Sequence, residues 1–252
     1  MSAALSLPPP APLLTAIDGV GFARATGAAM AALLGPAGTP AALDAFAASW
    51  DRLETDAFMA DGGRYRRRRH ANYTVAAGTR TPWRGPHRAH FQAVVHNSLN
   101  GGVERWFAPV EDAVADSAPL RGLLDLGQAV AEARAPGEAW FIEVHQFRIE
   151  AAPGAPGYPT PEGVHHDGVD YVLIAMLART NLTGGETLVT DDAQRELGRF
   201  TLQDRLDTVF VDDRRVMHGV TPVQPADPRL PSCRDVLVIT WKRGGPPGPP
   251  AG

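Results

Sequence analysis

The chain has 252 residues, a hydrophobic share of 44% and a formal charge of −4. That is enough apolar material for one large core, and the acidic balance argues against a general nucleic-acid binder, whose footprint is basic. A single cysteine, Cys233, excludes an internal disulfide and a cysteine-rich zinc site.

Residues 1–11 read as a flexible leader. They lack a positively charged start, and Pro8-Pro9-Pro10 interrupts the apolar stretch, so a secretion signal is not expected. No run approaches the roughly 18 apolar residues of a membrane span, and a cytoplasmic location is the expectation. An alanine-rich helix is predicted over 21–34, stopped by Gly35-Pro36. Thr39-Pro40 offers an N-cap and a first-turn proline for the next helix. Leu43, Phe46, Trp50 and Leu53 then recur at three- and four-residue spacing, ending near Ala60-Asp61-Gly62-Gly63. Arg66-Arg67-Arg68-Arg69 reads as a solvated strand, with Tyr65, Arg67 and Arg69 on one face and Arg66, Arg68 and His70 on the other. A third helix spans about 119–135, carrying Leu120, Leu123, Leu124, Gln128 and Ala131.

From Glu138 the texture changes to strands. Ala139 to Ala151 is rich in Phe, Ile, Val and Trp; Tyr171 to Leu177 is apolar on both faces; Asn181 to Glu186 turns into Thr187 to Thr190. Asp207 to Asp212 follows, and Arg234 to Trp241 closes the series. Helices first and strands later predict an α+β fold in which helices buttress a barrel or sandwich. A parallel nucleotide-binding sheet is disfavoured, since no glycine-rich phosphate loop and no alternating helices occur. Residues 12–243 are expected to form one domain, followed by a Pro/Gly tail over 244–252 that can build no core. No internal repeat is visible.

The chemistry concentrates in Pro161-Glu162-Gly163-Val164-His165-His166-Asp167-Gly168 and in Arg214-Arg215-Val216-Met217-His218-Gly219. Side chains at i and i+2 of an extended segment point the same way, so His165 and Asp167 can grip one ion while His166 faces elsewhere. His218 supplies the third ligand from another strand. Two imidazoles and a carboxylate on one face of a metal leave the opposite face open, as in non-haem Fe(II) oxygenases; zinc with such a set is also chemically possible. Arg234 opens an apolar strand beyond His218, and its planar fork suits the carboxylate of a dicarboxylate cosubstrate.

The runs Thr160 to Asp170, Asp212 to Pro222 and Arg234 to Val238 resemble the bacterial 2OG-Fe dioxygenases that include the free L-isoleucine hydroxylases. The resemblance extends upstream through Asp61-Gly62-Gly63-Arg64-Tyr65-Arg66 and His145-Gln146-Phe147-Arg148-Ile149, to roughly residues 50–243. It implies a double-stranded β-helix core of jelly-roll or cupin-like form, with Fe(II), 2-oxoglutarate and O2 as reactants and a free amino acid as substrate. It also implies His165, Asp167 and His218 as metal ligands and Arg234 as the 2-oxoglutarate anchor. A related halogenase lacks the carboxylate, so Asp167 favours hydroxylation.

Other residues are secondary candidates. Arg67, taken from the arginine run, and Arg105 suit a substrate carboxylate, and Asp170 a substrate ammonium. Phe91-Gln92, Asn97, Gly101-Gly102 and Arg105-Trp106-Phe107 form a polar and aromatic cluster that suits a pocket wall, with Trp106, Phe107 and Phe147 facing an aliphatic substrate. Arg148 reads as a structural ion pair, Cys233 as a small strand-edge residue. The expected activity is hydroxylation of a small free L-amino acid with release of succinate and CO2. A cupin-like metal-dependent hydrolase or isomerase, and a non-catalytic ligand-binding protein, are the rival readings. Neither membrane nor nucleic acid is an expected partner, and the oligomeric state is not legible.

Overall fold

The computed structural model describes residues 10–59, 61–94 and 101–245. Most of the predicted leader and tail, with Ala60 and Asn97, lie outside the described residues. In chain order the elements are α1 (Ala11–Val20), β1 (Phe22–Ala25), α2 (Gly27–Leu34), α3 (Pro40–Ala47), β2 (Glu54–Thr55), β3 (Arg66–Val75) and β4 (Trp83–Arg84). There follow α4 (Asp112–Ala115), α5 (Ala118–Arg134), β5 (Trp140–Ala151), β6 (Tyr171–Thr180), β7 (Leu182–Gly184) and β8 (Glu186–Thr190). The series ends with β9 (Glu196–Thr201), β10 (Thr208–Asp212), β11 (Met217–Val220), β12 (Val223–Pro225) and β13 (Ser232–Arg243).

Eight strands form one antiparallel sheet in the order β1-β10-β6-β13-β5-β3-β2, with β4 beside β3. A three-stranded sheet, β11-β8-β9, and the pair β12-β7 complete a jelly-roll core. Strand alternation sorts the large sheet into two environments. Tyr73, Val75, Ile142, Val144, Leu173, Ala175, Leu237, Ile239 and Trp241 join Leu43, Phe46, Trp50, Leu120, Leu123 and Leu124 in a core under the helices. The opposite face contributes Val172, Ile174, Met176 and Val236 to a second core with Val189 and Phe200 of the small sheet. Each fully buried leucine here stabilises the fold by about 1.5–3 kcal/mol. Helix α5 lies so close to β13 that a Cβ at Gly127 would meet the Trp241 ring at 2.1 Å, which explains a glycine inside a helix.

The predicted helices at 119–135 and after Thr39 are present, but the N-terminal third differs in detail. Residues 21–34 are not one helix. Gly21 takes φ +85°, closing α1, and Phe22–Ala25 pairs with β10 before Thr26 caps α2. Pairing with β10 and burial of Phe22 and Ala23 outweigh alanine's helix propensity. The helix after Thr39 is also shorter than expected. It becomes a 3₁₀ turn over Ala48–Arg52, and the chain leaves to lay β2 against β3. Thr39 does not cap with its side chain; its hydroxyl donates to the Pro36 carbonyl at 3.1 Å. Leu43, Phe46, Trp50 and Leu53 are nonetheless all buried, and the Trp50 indole donates to the Phe147 carbonyl at 3.0 Å.

The largest correction is β3. It is not a solvated strand: Arg66, Arg68 and His70 are buried on the face turned away from the helices. Pairing with β5 along its whole length places them inside the molecule, where each basic group needs its own partner.

Candidate functional site

A cavity of about 310 Å3 opens between the large sheet and the segment 159–169. Alternation on four strands builds its floor: Arg66 and Arg68 from β3, Glu143, His145, Phe147 and Ile149 from β5, Ile174 from β6, and Arg234, Val236, Val238 and Thr240 from β13. Glu162, His165, Asp167 and His218 close one side, while His90, Phe91, Gln92 and Arg105 line another.

His165, Asp167 and His218 converge. One ligand atom from each lies within 4.8 Å of the others. His165 Nε2 is 3.4 Å from Asp167 Oδ1, and His218 Nε2 is 3.6 Å from Asp167 Oδ2. Donors at right angles on a small octahedral ion stand about 3 Å apart, so a small contraction would seat one. The tautomer suits it: His165 Nδ1 donates to the Gly163 carbonyl at 3.0 Å, leaving Nε2 toward the centre. His218 Nδ1 is buried without a hydrogen-bond partner. Burial opposes a charge on His165, yet the Asp167 and Glu162 carboxylates raise its pKa to about 9. Burial would raise the Asp167 carboxyl, but the hydrogen bond and charge of His165 hold it below the usual range. Burial pushes His218 down to about 4. A neutral imidazole, an ionised carboxylate and a second imidazole sharing a proton are the donors a divalent cation displaces protons to reach.

The local backbone differs from the expected strand. His165 makes only a bridge, exchanging both backbone hydrogen bonds with His218 at 3.0 Å, and the chain then turns at Gly168, φ +79°. Asp213, which sequence reasoning passed over, organises that turn. Its carboxylate accepts the amides of Asp167 at 2.9 Å, Gly168 at 2.9 Å and Val169 at 3.1 Å. Burial and the nearby Asp167 charge raise its pKa to about 7 against those bonds. An Asp213→Ala substitution is expected to cost about 2–4 kcal/mol, since three half-buried amides lose a charged acceptor. Urea unfolding checks the magnitude, and an unchanged midpoint would show the turn to be held by other contacts. His166 points away from the cavity, with Nδ1 2.5 Å from the Asp213 carbonyl and Nε2 2.9 Å from Asp192 Oδ1.

Arg234 lies 3% exposed in the cavity wall, its Nε without a partner. Burial, reinforced by the Arg179 charge, lowers its pKa to about 10. Among the described residues no carboxylate forms an ion pair with it, so the site presents a buried cation that calls for an anion.

The secondary candidates divide. Arg105 lines the cavity, but Arg67 lies on the opposite face of β3 with its guanidinium 2.7 Å from Glu150; Arg66 and Arg68 take the cavity side instead. Asp170 is turned away as well. It pairs with Arg214 at 3.0 Å and accepts the Arg243 amide at 2.8 Å. Trp106 is 57% exposed and packs on His87, so it is not a pocket wall; Phe147 is, and Phe107 stacks on Arg68 from outside the lining. Arg148 is held by Asp235 at 2.7 Å and Asp51 at 2.9 Å, as a structural ion pair.

A second cluster, His70, His90, Glu143 and His145, escaped the sequence because its members come from three separate segments. Glu143 Oε1 contacts His70 at 3.0 Å and His90 at 2.8 Å, and Arg68 donates to His145 Nδ1 at 2.7 Å. A guanidinium bonded to one prospective ligand opposes a cation there. The cluster is therefore read as a hydrogen-bonded cavity wall. The alternation Glu143-x-His145 was the one sequence signal for it.

Comparison with known proteins agrees with this geometry. The family model described as 2OG-Fe dioxygenase matches residues 47–240. A solved bsmA homolog from Methylobium petroleophilum PM1 is 39% identical, with a TM-score of 0.83 over 95% of both chains. The structure of IDO from Bacillus thuringiensis, at 18% identity, shares the fold with a TM-score of 0.78 over 92% of this chain and 98% of that one. The 3(1)-hydroxy-L-isoleucine 4-dioxygenase of Pantoea ananatis is 28% identical over 156 residues, 60% of this chain; the match spans 63% of that relative's length, less than two thirds. The chain belongs to the 2OG-Fe dioxygenase family, whose cofactors are Fe(II), 2-oxoglutarate and O2, and it carries a candidate His-Asp-His metal site.

Proposed function

We propose that the protein hydroxylates an unactivated C–H bond of a small free L-amino acid, with residues 12–243 acting as one catalytic unit. The observation that carries this reading is one cavity with the His165, Asp167 and His218 donors on one side and two buried arginines, Arg234 and Arg105, that pair with no carboxylate among the described residues. Two unmatched cations suit two anionic ligands, a cosubstrate and a substrate. A volume of about 310 Å3 falls in the range of small-molecule pockets. The relative that acts on hydroxyisoleucine supports an aliphatic amino acid as first choice.

In this reading His165, Asp167 and His218 hold the metal. When bound, Fe(II) supplies the redox chemistry by which 2-oxoglutarate, O2 and R–H become succinate, CO2 and R–OH, one oxygen atom entering each organic product. The chain's own residues bind, orient and exclude water. Arg234 pairs with the far carboxylate of 2-oxoglutarate. Ile174, Val236 and Val238 keep the floor apolar, and Phe147 and Ile149 offer the surface against which an aliphatic side chain rests. The Asp213 carboxylate fixes the turn that aims Asp167. No protein base is required for hydrogen removal from carbon.

No helix among the described residues is long and apolar enough to cross a membrane. A cytoplasmic site of action belongs to the same proposal, since the free thiol of Cys233 and a ferrous cofactor both suit a reducing compartment. The test is anaerobic reconstitution with Fe(II), then exposure to O2 with each of the twenty free amino acids. One of them is expected to gain a single oxygen, matched one-to-one by succinate. Oxygen gained only by a carrier-bound or peptide-bound residue would overturn the free amino acid, leaving the dioxygenase assignment in place.

A further inference from the structure

The two buried arginines that pair with no carboxylate among the described residues are not equivalent, because one shares the cavity with a carboxylate that has a free oxygen. Arg105 is 2% exposed, its Nε lacks a partner among the described residues, and its Nη2 donates to Gln92 Oε1 at a long 3.4 Å. Backbone bonds in both directions with His90, at 2.9 and 3.0 Å, hold it in the wall. Arg66 and Arg68 both face the Asp56 carboxylate, at 2.7 and 3.6 Å, although Arg68 Nε also lacks a partner among the described residues. Arg68 is bonded to His145 as well, with its guanidinium carbon 3.6 Å from the centre of the Phe107 ring. Glu162 lies on the turn closed by the Gly163 amide on the Thr160 carbonyl, with a side chain 12% exposed. Its Oε1 is 3.5 Å from His165 Nε2, while Oε2 is buried with no partner. Burial and the Arg66 charge lower the Arg105 pKa, and the Asp56, Glu143 and Glu162 charges oppose them in that order.

Resting on the amino acid reading above, we infer that Arg105 and Glu162 form a zwitterion clamp, Arg105 taking the α-carboxylate and Glu162 the α-ammonium of the substrate. The planar fork matches a carboxylate, and a lone carboxylate oxygen matches an ammonium donor. Opposite charges on the two groups cancel, so only a ligand carrying both signs leaves neither buried charge unmatched. An internal peptide residue lacks both charges, an acylated amino acid lacks the ammonium, an amide or ester lacks the carboxylate, and each fails at one jaw or both. Glu162 also stands beside His165, so the clamp sets the α-carbon near the metal ligands and reserves the side chain for the apolar floor.

The experiment is anaerobic calorimetric titration of the Fe(II)- and 2-oxoglutarate-loaded enzyme. The probes are L-isoleucine, or the amino acid that scores in the succinate screen, its α-amide, and its des-amino acid. Arg105→Gln should weaken the amino acid by about 10- to 100-fold and leave the amide nearly unchanged. Glu162→Gln should weaken the amino acid to a similar degree and leave the des-amino acid nearly unchanged. Equal loss for all three probes, or no loss, overturns the clamp. So does loss of iron from Glu162→Gln, which would assign that carboxylate to the metal centre. If Arg105→Gln fails to fold, Arg105→Lys keeps the charge without the fork and reads the same selectivity. A wild-type enzyme that binds no free amino acid would remove the substrate reading and the clamp together; wild-type binding with unselective variants removes the clamp alone.

Discussion

His165→Ala, Asp167→Ala and His218→Ala are each expected to abolish turnover and to weaken Fe(II) binding by at least about 100-fold, beyond the loss usual for a mere supporting partner. The fold should survive, because none of the three supplies a core contact. Asp167 is expected to be the most severe. It faces both imidazoles, at 3.4 and 3.6 Å, and its loss removes the only negative charge of the set. His166→Ala should keep the metal, since its ring is turned to the Asp213 carbonyl and Asp192. Anaerobic iron titration with far-ultraviolet circular dichroism separates binding from folding. Metal retained by His165→Ala but lost from His166→Ala would mean that the ligand pair is registered one residue away.

The sequence expectation joined His165 to Asp167 by strand alternation, and the structure brings the two together by a different route. The i, i+2 rule placed His165 and Asp167 together as if on a strand. In the structure His165 makes a bridge to His218 and the chain then turns at Gly168, so the shared direction comes from a turn clamped by Asp213. A carboxylate that accepts amides 44 to 46 residues away leaves no local signature. The same limit explains the arginine run. Period-two alternation sorted Arg66, Arg68 and His70 onto one face, but only pairing with β5 decides that this face is inside. Charge then pointed the wrong way, because buried arginines matched by Asp56 and His145 look like solvated ones until their partners are known. The β13 strand was easier. Its alternation of Arg234, Val236 and Val238 with Leu237, Ile239 and Trp241 already separates cavity from core, and long apolar strands carry their fold class with them. In the N-terminal third, residues 21–26 were assigned to a helix on composition, and a single glycine at positive φ together with pairing to β10 undid it.

Arg234→Ala is expected to raise the 2-oxoglutarate concentration needed for half-maximal activity by about 30- to 1,000-fold, with iron affinity little changed. The range follows from about 2–4 kcal/mol for losing a charge-assisted bidentate contact and stranding the cosubstrate carboxylate in a dry wall. Three features single out this arginine. It is 3% exposed, no carboxylate among the described residues pairs with it, and it stands on the same strand face as Val236 and Val238. The neighbouring Arg179 does not compete for the role, because it does not line the cavity and its Nη2 donates to the Leu182 carbonyl at 3.2 Å and the Gly184 carbonyl at 2.7 Å. Arg148 is likewise spent on Asp235 and Asp51. Arg234→Lys should recover only part of the loss, as an ammonium restores charge without the fork. The measurement is 2-oxoglutarate binding by titration of the Fe(II)-loaded protein, paired with succinate release at saturating amino acid. An unchanged dependence on 2-oxoglutarate would hand the cosubstrate to Arg105, a second buried arginine of the cavity that pairs with no carboxylate among the described residues. Because Arg105→Gln is expected to alter amino acid selectivity and Arg234→Ala the cosubstrate requirement, the two variants read two different anions. A crossed result, with Arg105 governing 2-oxoglutarate and Arg234 the amino acid, would reverse the orientation of both ligands in the cavity while leaving the metal ligands where they are.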